Sequence, residues 1–364
     1  MQRSIVRRTA AGAAAAALTL VLGACGAANE SSGSADEGSG LSGTLDGAGA
    51  SSQEAAQQAW RAAFSEKHPD VTVNYSPIGS GGGRERFVNG ASDFGGTDAA
   101  LEGEELKAAK ERCGSLVEVP VYVSPVAVAF NLDGVDELKL TPQTIAGIFN
   151  QEITNWDAEA IKRSNPDVDL PSTPITPVNR SDESGTTENF VDYLSTAAPD
   201  AWPHEVSGNW PVSGGEAAKG TSGVKSAINA GNGTIGYLDA SQAGDLGTVA
   251  VGVGDEFVSY SPEAAAKVVE VSERKEGQGE HVFAYDLARD TTESGTYPIV
   301  LVSYGMACGS YDDAETGELV RSYFQYLLSE EGQQAAADAA GSAPISDGLR
   351  QKLQPAVEAI GASS

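Results

Sequence analysis

Ile175-Thr176-Pro177-Val178-Asn179-Arg180-Ser181-Asp182-Glu183-Ser184-Gly185-Thr186-Thr187 reads as a strand that runs into a polar loop. The next residues, Glu188-Asn189-Phe190-Val191-Asp192-Tyr193-Leu194, read as the start of a helix. Ser184 or Thr186 can cap that helix, and Gly185 lets backbone come close to a ligand. The loop also carries a fixed cation, Arg180, with a carboxylate, Asp182, two residues on. Free N–H groups at a helix start, with hydroxyls and an arginine beside them, can hold an oxyanion. The plainer alternative is an ordinary helix cap with a surface ion pair.

Working outward, the alternation of strand and helix continues on both sides. Upstream, 41–45 reads as a short strand, Asp46-Gly47-Ala48-Gly49-Ala50-Ser51-Ser52 as a turn of small residues, 53–67 as a helix and 71–75 as a strand. Ile78-Gly79-Ser80-Gly81-Gly82-Gly83 reads as a glycine loop before a helix at 84–89. Such a loop can cradle phosphate. It lacks the Gly-Lys-Ser/Thr of a P-loop and the spacing of a dinucleotide fingerprint. Ser92-Asp93-Phe94-Gly95-Gly96-Thr97-Asp98 is a strand ending on a carboxylate, and 101–112 is a charged helix. Downstream, 224–230 reads as a helix, 233–238 and 248–252 as strands, 262–273 as a helix, and 319–328, 331–339 and 349–360 as closing helices. The pattern is that of an α/β sheet protein. Two apolar runs are long enough to cross between lobes: 116–130, interrupted by Pro120 and Pro125, and 296–304. They divide the chain into a first lobe built from 41–121 and 298–364, and a second lobe at 122–297.

The chain has 364 residues and a net charge of -28. A nucleic-acid partner is not expected, because no basic stripe is present. Arg3, Arg7 and Arg8 precede an apolar stretch at 10–22 that is short for a bilayer span, so 1–24 reads as an export signal. Leu22-Gly23-Ala24-Cys25 resembles a bacterial lipobox, which implies lipid on Cys25 and membrane attachment. Residues 25–40, rich in Gly, Ser and acids, read as a flexible tether. Export leaves Cys113 and Cys308 either paired in an oxidising compartment or as two buried thiols. His68, His204 and His281 are scattered without metal-ligand spacing, and Ser184 lacks the Gly-x before it that a nucleophile elbow needs. No metal, cofactor or catalytic residue is assigned.

The segments at 47–52, 78–82, 93–98 and 180–186, with Ile148-Phe149-Asn150-Gln151-Glu152-Ile153-Thr154-Asn155-Trp156-Asp157 before the last, occur in one order. That ordered set resembles the phosphate-binding lipoproteins of bacterial high-affinity phosphate ABC transporters. The resemblance implies a two-lobe periplasmic-binding-protein fold (type II) with two hinge crossings and the ligand in the cleft. It implies a monomer that is not an enzyme, lies outside the membrane, binds inorganic phosphate and delivers it to the permease subunits. Position by position, Ser51, Ser52 and Ser80 would contribute hydroxyls or N–H groups. Asp98 would accept the ligand's proton. Arg180, held by Asp182, would donate two hydrogen bonds, and Ser184, Gly185 and Thr186 would donate from the helix start. Asp93 would stand behind the site without touching the ligand. Phosphate near neutral pH carries a proton and sulfate does not, so a buried carboxylate at Asp98 would favour the first and repel the second. Two alternatives remain: a receptor for another oxyanion such as sulfate or molybdate, and a secreted phosphoesterase on the same scaffold.

Overall fold

The computed structural model describes residues 40–362, so the export signal, Cys25 and all but the last residue of the tether lie outside the described residues. The chain begins with β1 (Gly43–Gly49), α1 (Glu54–Lys67), β2 (Val71–Ser76), α2 (Ser80–Val88), β3 (Phe94–Thr97), α3 (Gly103–Cys113) and β4 (Leu116–Asn131). The middle contains β5 (Glu137–Leu140), α4 (Pro142–Phe149), α5 (Glu159–Ser164), β6 (Thr176–Arg180), α6 (Gly185–Ala197), β7 (Glu216–Ala218), α7 (Gly220–Ala230), β8 (Thr234–Asp239), β9 (Gly247–Val253), β10 (Glu256–Val258) and α8 (Pro262–Glu270). It ends with β11 (Glu273–Arg274), β12 (Tyr285–Asp286), β13 (Val300–Cys308), α9 (Ala314–Leu328), α10 (Glu330–Ala340) and α11 (Asp347–Glu358). The architecture is mixed α/β, with strands ordered β2-β1-β3-β13-β4-β8-β6-β7.

One strand joins the two halves. β4 pairs antiparallel with β13 from Leu116 to Pro125, then changes partner and pairs with β8 from Val126 to Asn131. Pro120 and Pro125 do not break it, and the run is the crossing strand expected from the sequence. Proline removes a ladder donor, so it is tolerated where pairing is already irregular. Pro125 stands at the change of partner, and Pro120 lies beside a bulge where the register slips between Ser303 and Tyr304. The second expected crossing, 296–304, is strand only from Val300 onward and continues to Cys308.

Two turns expected from the sequence prove to be regular structure. The stretch 46–49 continues β1, with Gly47, Ala48 and Gly49 paired to Phe94, Gly95 and Gly96 of β3. The glycine loop is the first turn of α2, which begins at Ser80. The reason is close packing: a Cβ on Gly83 would sit 2.3 Å from the Gly49 Cα. Without side chains there, α2 lies directly on the β1–β3 pair.

The helices cover both faces with a continuous aromatic core. On one side Trp60, Phe64, Phe94, Tyr323 and Phe324 pack together, and on the other Phe149, Phe190, Trp210 and Tyr237 stack. Cys113 and Cys308 are bonded, which fastens the end of α3 to the end of β13. Among the described residues no helix is long and apolar enough to cross a membrane.

Candidate functional site

In each parallel set, the strands run with their C-terminal ends toward one place, and the polar residues just beyond those ends meet there. Ser51 and Ser52 follow β1, Ser80 follows β2, Asp98 follows β3, Arg180 ends β6, and Gly220 follows β7. Ser51, Ser52, Ser80, Asp98, Arg180, Ser184 and Thr186 are each at most 6% exposed.

Asp98 is the centre of the hydrogen bonding. Its Oδ2 accepts the Ser52 hydroxyl at 2.5 Å and its Oδ1 accepts the Ser303 hydroxyl at 2.7 Å. Its backbone N–H donates to Ser80 Oγ at 3.1 Å, which leaves the Ser80 hydroxyl proton free to donate elsewhere. Burial pushes the Asp98 carboxyl up from its ordinary range, while Ser52, Ser303, the Arg180 charge and Thr186 pull it back. The Thr186 hydroxyl comes near enough to favour the charged carboxylate, yet Thr186 Oγ1 is buried and makes no hydrogen bond of proper geometry. A buried hydroxyl without a partner, beside a carboxylate and a helix start, points to something the site is shaped to receive.

Arg180 is held flat by Asp182. Its Nε and Nη2 donate to the two Asp182 oxygens at 2.8 and 2.5 Å, and Nη1 takes no part in that pair. Asp182 also accepts from the Gly220 N–H at 3.0 Å. Burial alone would raise the Asp182 carboxyl, but the Arg180 hydrogen bonds and charge outweigh it and hold it below its usual value. The residue is thus anionic, and it fixes the guanidinium in one plane.

The start of α6 closes the group. Ser184 caps it, its Oγ accepting from the Thr187 N–H at 3.2 Å. The Ser184 N–H is already used, donating to the Gly208 carbonyl at 2.9 Å, so Ser184 offers its hydroxyl proton but not its amide. The N–H groups of Gly185 and Thr186 have no acceptor within the helix, as the first N–H groups of any helix must. A Cβ on Gly185 would stand 2.6 Å from Ser80 Oγ and 2.7 Å from Asp98 Cβ. A Cβ on Gly79, whose φ is +97°, would stand 2.6 Å from Asp182 Oδ2. Both sides of the cleft therefore touch through glycine. Ser51 faces the start of α7, with its Oγ 3.1 Å from Thr221 Oγ1 and accepting from the Thr221 N–H.

Asp93 does not join these residues. It lies at the opposite end of β3, where its Oδ2 accepts the Asp46 N–H at 2.7 Å and its carbonyl accepts the Tyr311 hydroxyl. Several residues of the site were not legible in advance. Ser303 sits inside an apolar strand. Thr221 follows a glycine at a helix start, the same Gly-Thr pattern as Gly185-Thr186, and that repetition was the available signal. Arg84 is 6% exposed and binds Glu105 and Glu183, each at 2.8 Å, joining α2 to the loop before α6. A cavity of about 260 Å³ reaches Asp98 and Asn189; its two cations, Lys275 and Arg289, are paired with Glu102 and Asp192, and Glu188 and Asp286 leave its lining acidic on balance.

Beneath the site lies Glu118 of β4, which is fully buried. Its Oε1 accepts the Leu101 N–H at 3.0 Å, anchoring the loop that follows Asp98, and its Oε2 has no partner. Burial pushes its carboxyl from 4.5 to about 8, a shift that the Leu101 N–H and the Arg84 charge only partly oppose. The native state therefore keeps this proton between about pH 4.5 and 8 while the unfolded chain loses it, so stability falls as pH rises through that window and levels off above it. Glu118→Gln, neutral at every pH, should gain over the parent by on the order of 4 kcal/mol between pH 5 and pH 9. Urea unfolding of both proteins at the two pH values checks this; an equal difference at both would refute it.

A PBP superfamily domain matches residues 34–331. The chain is 35% identical over 365 residues to Phosphate-binding protein PstS 2 of Mycobacterium tuberculosis, covering 95% of this chain and 96% of that one. It is 34% identical to Phosphate-binding protein PstS 3 of Mycobacterium leprae, with 87% of each chain covered. The chain belongs to the PstS phosphate-binding protein family. Solved structures share the PstS member's fold at lower identity. One is a high affinity periplasmic phosphate-binding protein (PfluDING) bound with phosphate, with a TM-score of 0.71 at 23% identity, covering 86% of this chain and 93% of that one. Another is the phosphate binding protein of Stenotrophomonas maltophilia, with a TM-score of 0.65 at 19% identity, covering 86% and 94%. These place the chain in the two-lobe periplasmic-binding-protein architecture.

Proposed function

We propose that this PstS family member captures inorganic phosphate outside the membrane, encloses it between its lobes and delivers it to the membrane subunits of an ABC transporter. The observation that carries this is Asp98: a buried carboxylate set among hydroxyls, a pinned arginine and the starts of three helices. Donors surround the space, and one obligate acceptor stands among them. That combination suits an oxyanion that carries a proton of its own. Phosphate would take donors from Ser51, Ser52, Ser80, Arg180, Ser184, Gly185 and Thr186, and give its proton to Asp98. Sulfate would bring only lone pairs to Asp98 and leave a charge unmatched. The role is binding without turnover.

The lobes are 41–121 with 298–364, and 122–297. Closure pivots near the place where β4 exchanges β13 for β8, at Pro125 and Val126, and near the start of β13. Lipid on Cys25 tethers the chain to the membrane, and it works as a monomer.

Calorimetric titration of the mature chain tests the reading. About one phosphate should bind tightly and an excess of sulfate should not compete. Asp98→Asn replaces the acceptor by a group that can also donate, and should strengthen sulfate binding by about ten- to a hundredfold, from the 1–3 kcal/mol that an unmatched buried group costs. Absence of phosphate binding by the parent would sink the proposal.

A further inference from the structure

A chain of buried side chains leads from α9 to Asp98, and every hydrogen bond in it points the same way. The Tyr323 hydroxyl donates to Gln57 Oε1 at 2.8 Å. Gln57 Nε2 donates to Gln53 Oε1 at 3.0 Å. Gln53 Nε2 donates to Ser303 Oγ at 2.7 Å, and the Ser303 hydroxyl donates to Asp98 Oδ1 at 2.7 Å. Gln53, Gln57, Ser303 and Asp98 are at most 3% exposed, and Tyr323 is fully buried.

The direction is fixed by one backbone group. Gln53 Nε2 also donates to the Tyr304 carbonyl at 3.1 Å. A carbonyl can only accept, so the Gln53 amide cannot turn over without placing two oxygens face to face. With its nitrogen committed to Ser303 and Tyr304, its oxygen must face Gln57. Gln57 then turns its own oxygen to Tyr323, and the tyrosine must donate. At the other end, Ser303 already accepts from Gln53, so its own proton goes to Asp98. Ser303 and Tyr304 stand opposite a bulge in β4, where Val121 is the extra residue between their partners Tyr122 and Pro120, and there a hydroxyl and a carbonyl face the same amide.

We infer that Gln53 and Ser303 are specificity-determining residues: through this one-way chain they keep Asp98 an acceptor, and so set the pH below which the site ceases to tell a protonated oxyanion from an unprotonated one. The inference rests on the phosphate reading and deepens it. Asp98 discriminates only while it is charged. Once protonated it becomes a donor, and sulfate finds a partner where it met repulsion. Burial drives Asp98 toward that neutral form, and the Ser303 proton opposes it. The groups facing Asp98 are Ser52 from the turn before α1, Ser80 from α2, Arg180 from β6, Thr186 from α6 and Ser303 from β13, and three buried acids act on it through their charge, Tyr75 of β2, Tyr122 of β4 and the Asp239 carboxyl at the end of β8, which burial pushes up to about 7. Ser303 alone among them is held as a donor by a chain reaching outside the site.

The test is sulfate binding as a function of pH, by calorimetry on the mature chain, with phosphate titrated alongside. In the parent, sulfate binding should appear only as pH falls and Asp98 takes a proton. In Ser303→Ala that onset should move to higher pH by about one to two units, the worth of one hydrogen bond to a charged group, and in Gln53→Leu, which leaves the Ser303 hydroxyl in place but free to turn, it should move the same way by less. Ser303→Thr, which keeps the donor, should return the onset to the parent's value. Tyr323→Phe cuts the chain at its far end with little disturbance of packing; it should move the onset the same way by a smaller amount, and it carries the test if the nearer variants do not fold. Phosphate binding with an unmoved sulfate onset in the variants overturns the inference and leaves the phosphate reading standing. A parent that binds no phosphate removes the reading itself, and the inference with it.

Discussion

Gly185→Ala should abolish high-affinity phosphate capture while leaving the chain folded. The added Cβ would fall 2.6 Å from Ser80 Oγ and 2.7 Å from Asp98 Cβ, with the Asp98 Cα at 3.1 Å. Real Cβ atoms do not approach that closely, and Asp98 is pinned by Ser52, Ser303 and Asn189, so it has little room to withdraw. The methyl is thus a wedge between the start of α6 and the turn that carries Asp98. With the two sides held apart, the Gly185 and Thr186 N–H groups and the Ser80 hydroxyl can no longer meet one ligand together. Loss of two charge-assisted hydrogen bonds costs roughly 3–6 kcal/mol, so affinity should fall by at least about a hundredfold. Stability should fall by no more than about 1–3 kcal/mol, the cost of overpacking, because the two sides can part to relieve the contact. Calorimetry measures the first effect and urea unfolding the second. Solution scattering should show phosphate compacting the parent and leaving the variant unchanged. Tight binding by Gly185→Ala would mean that α6 does not close on the ligand in the manner proposed.

The features that sequence made legible are those that rest on local pattern. A strand, a capped helix start and an arginine in 175–187 led to the correct local structure and to residues that do converge. For Cys113 and Cys308 the sequence offered a bonded pair or two buried thiols, and the bonded pair is found. What stayed hidden depends on distance in space. Asp93 was expected behind the site, but a strand carries residues about 3.3 Å apart per step, so the ends of β3 put Asp93 and Asp98 roughly 16 Å apart, too far for Asp93 to support Asp98. Ser303 lies in a run of apolar residues, and nothing local marks it; only the antiparallel pairing of β13 with β3 and β4 brings it to Asp98. The prolines of β4 did not hide the crossing strand, which its β-branched run made legible. They forbid regular pairing, and the fold uses them where pairing is irregular in any case. The glycines at 81–83 suggested a loop, whereas their place is a helix, pressed against Glu183 at Gly81 and so close to β1 at Gly83 that a side chain would not fit.

Arg180→Ala should cost about two to three orders of magnitude in phosphate affinity, and more than the loss of one cation explains. Arg180 is 3% exposed, and the Asp182 side chain only 12%. Removing the guanidinium takes away the Nη1 donor and the positive charge that faces the ligand. It also strands Asp182, a carboxylate that would then stand unpaired near a bound anion, with only the Gly220 N–H to hold it. Breaking a buried ion pair on one side costs roughly 3–5 kcal/mol, mostly from the charge left behind. Asp182→Ala should do less harm. It frees Arg180 to lean on the ligand but loses the plane in which the guanidinium is held, so a loss of about tenfold or less is expected. The decisive measurement is the double variant. If the stranded carboxylate is the main penalty, Arg180→Ala/Asp182→Ala should bind phosphate more tightly than Arg180→Ala alone, by about tenfold or more. A double variant that binds no better than Arg180→Ala would assign the whole loss to the missing cation, and would reduce Asp182 to a residue that positions Arg180 without bearing on the charge of the site.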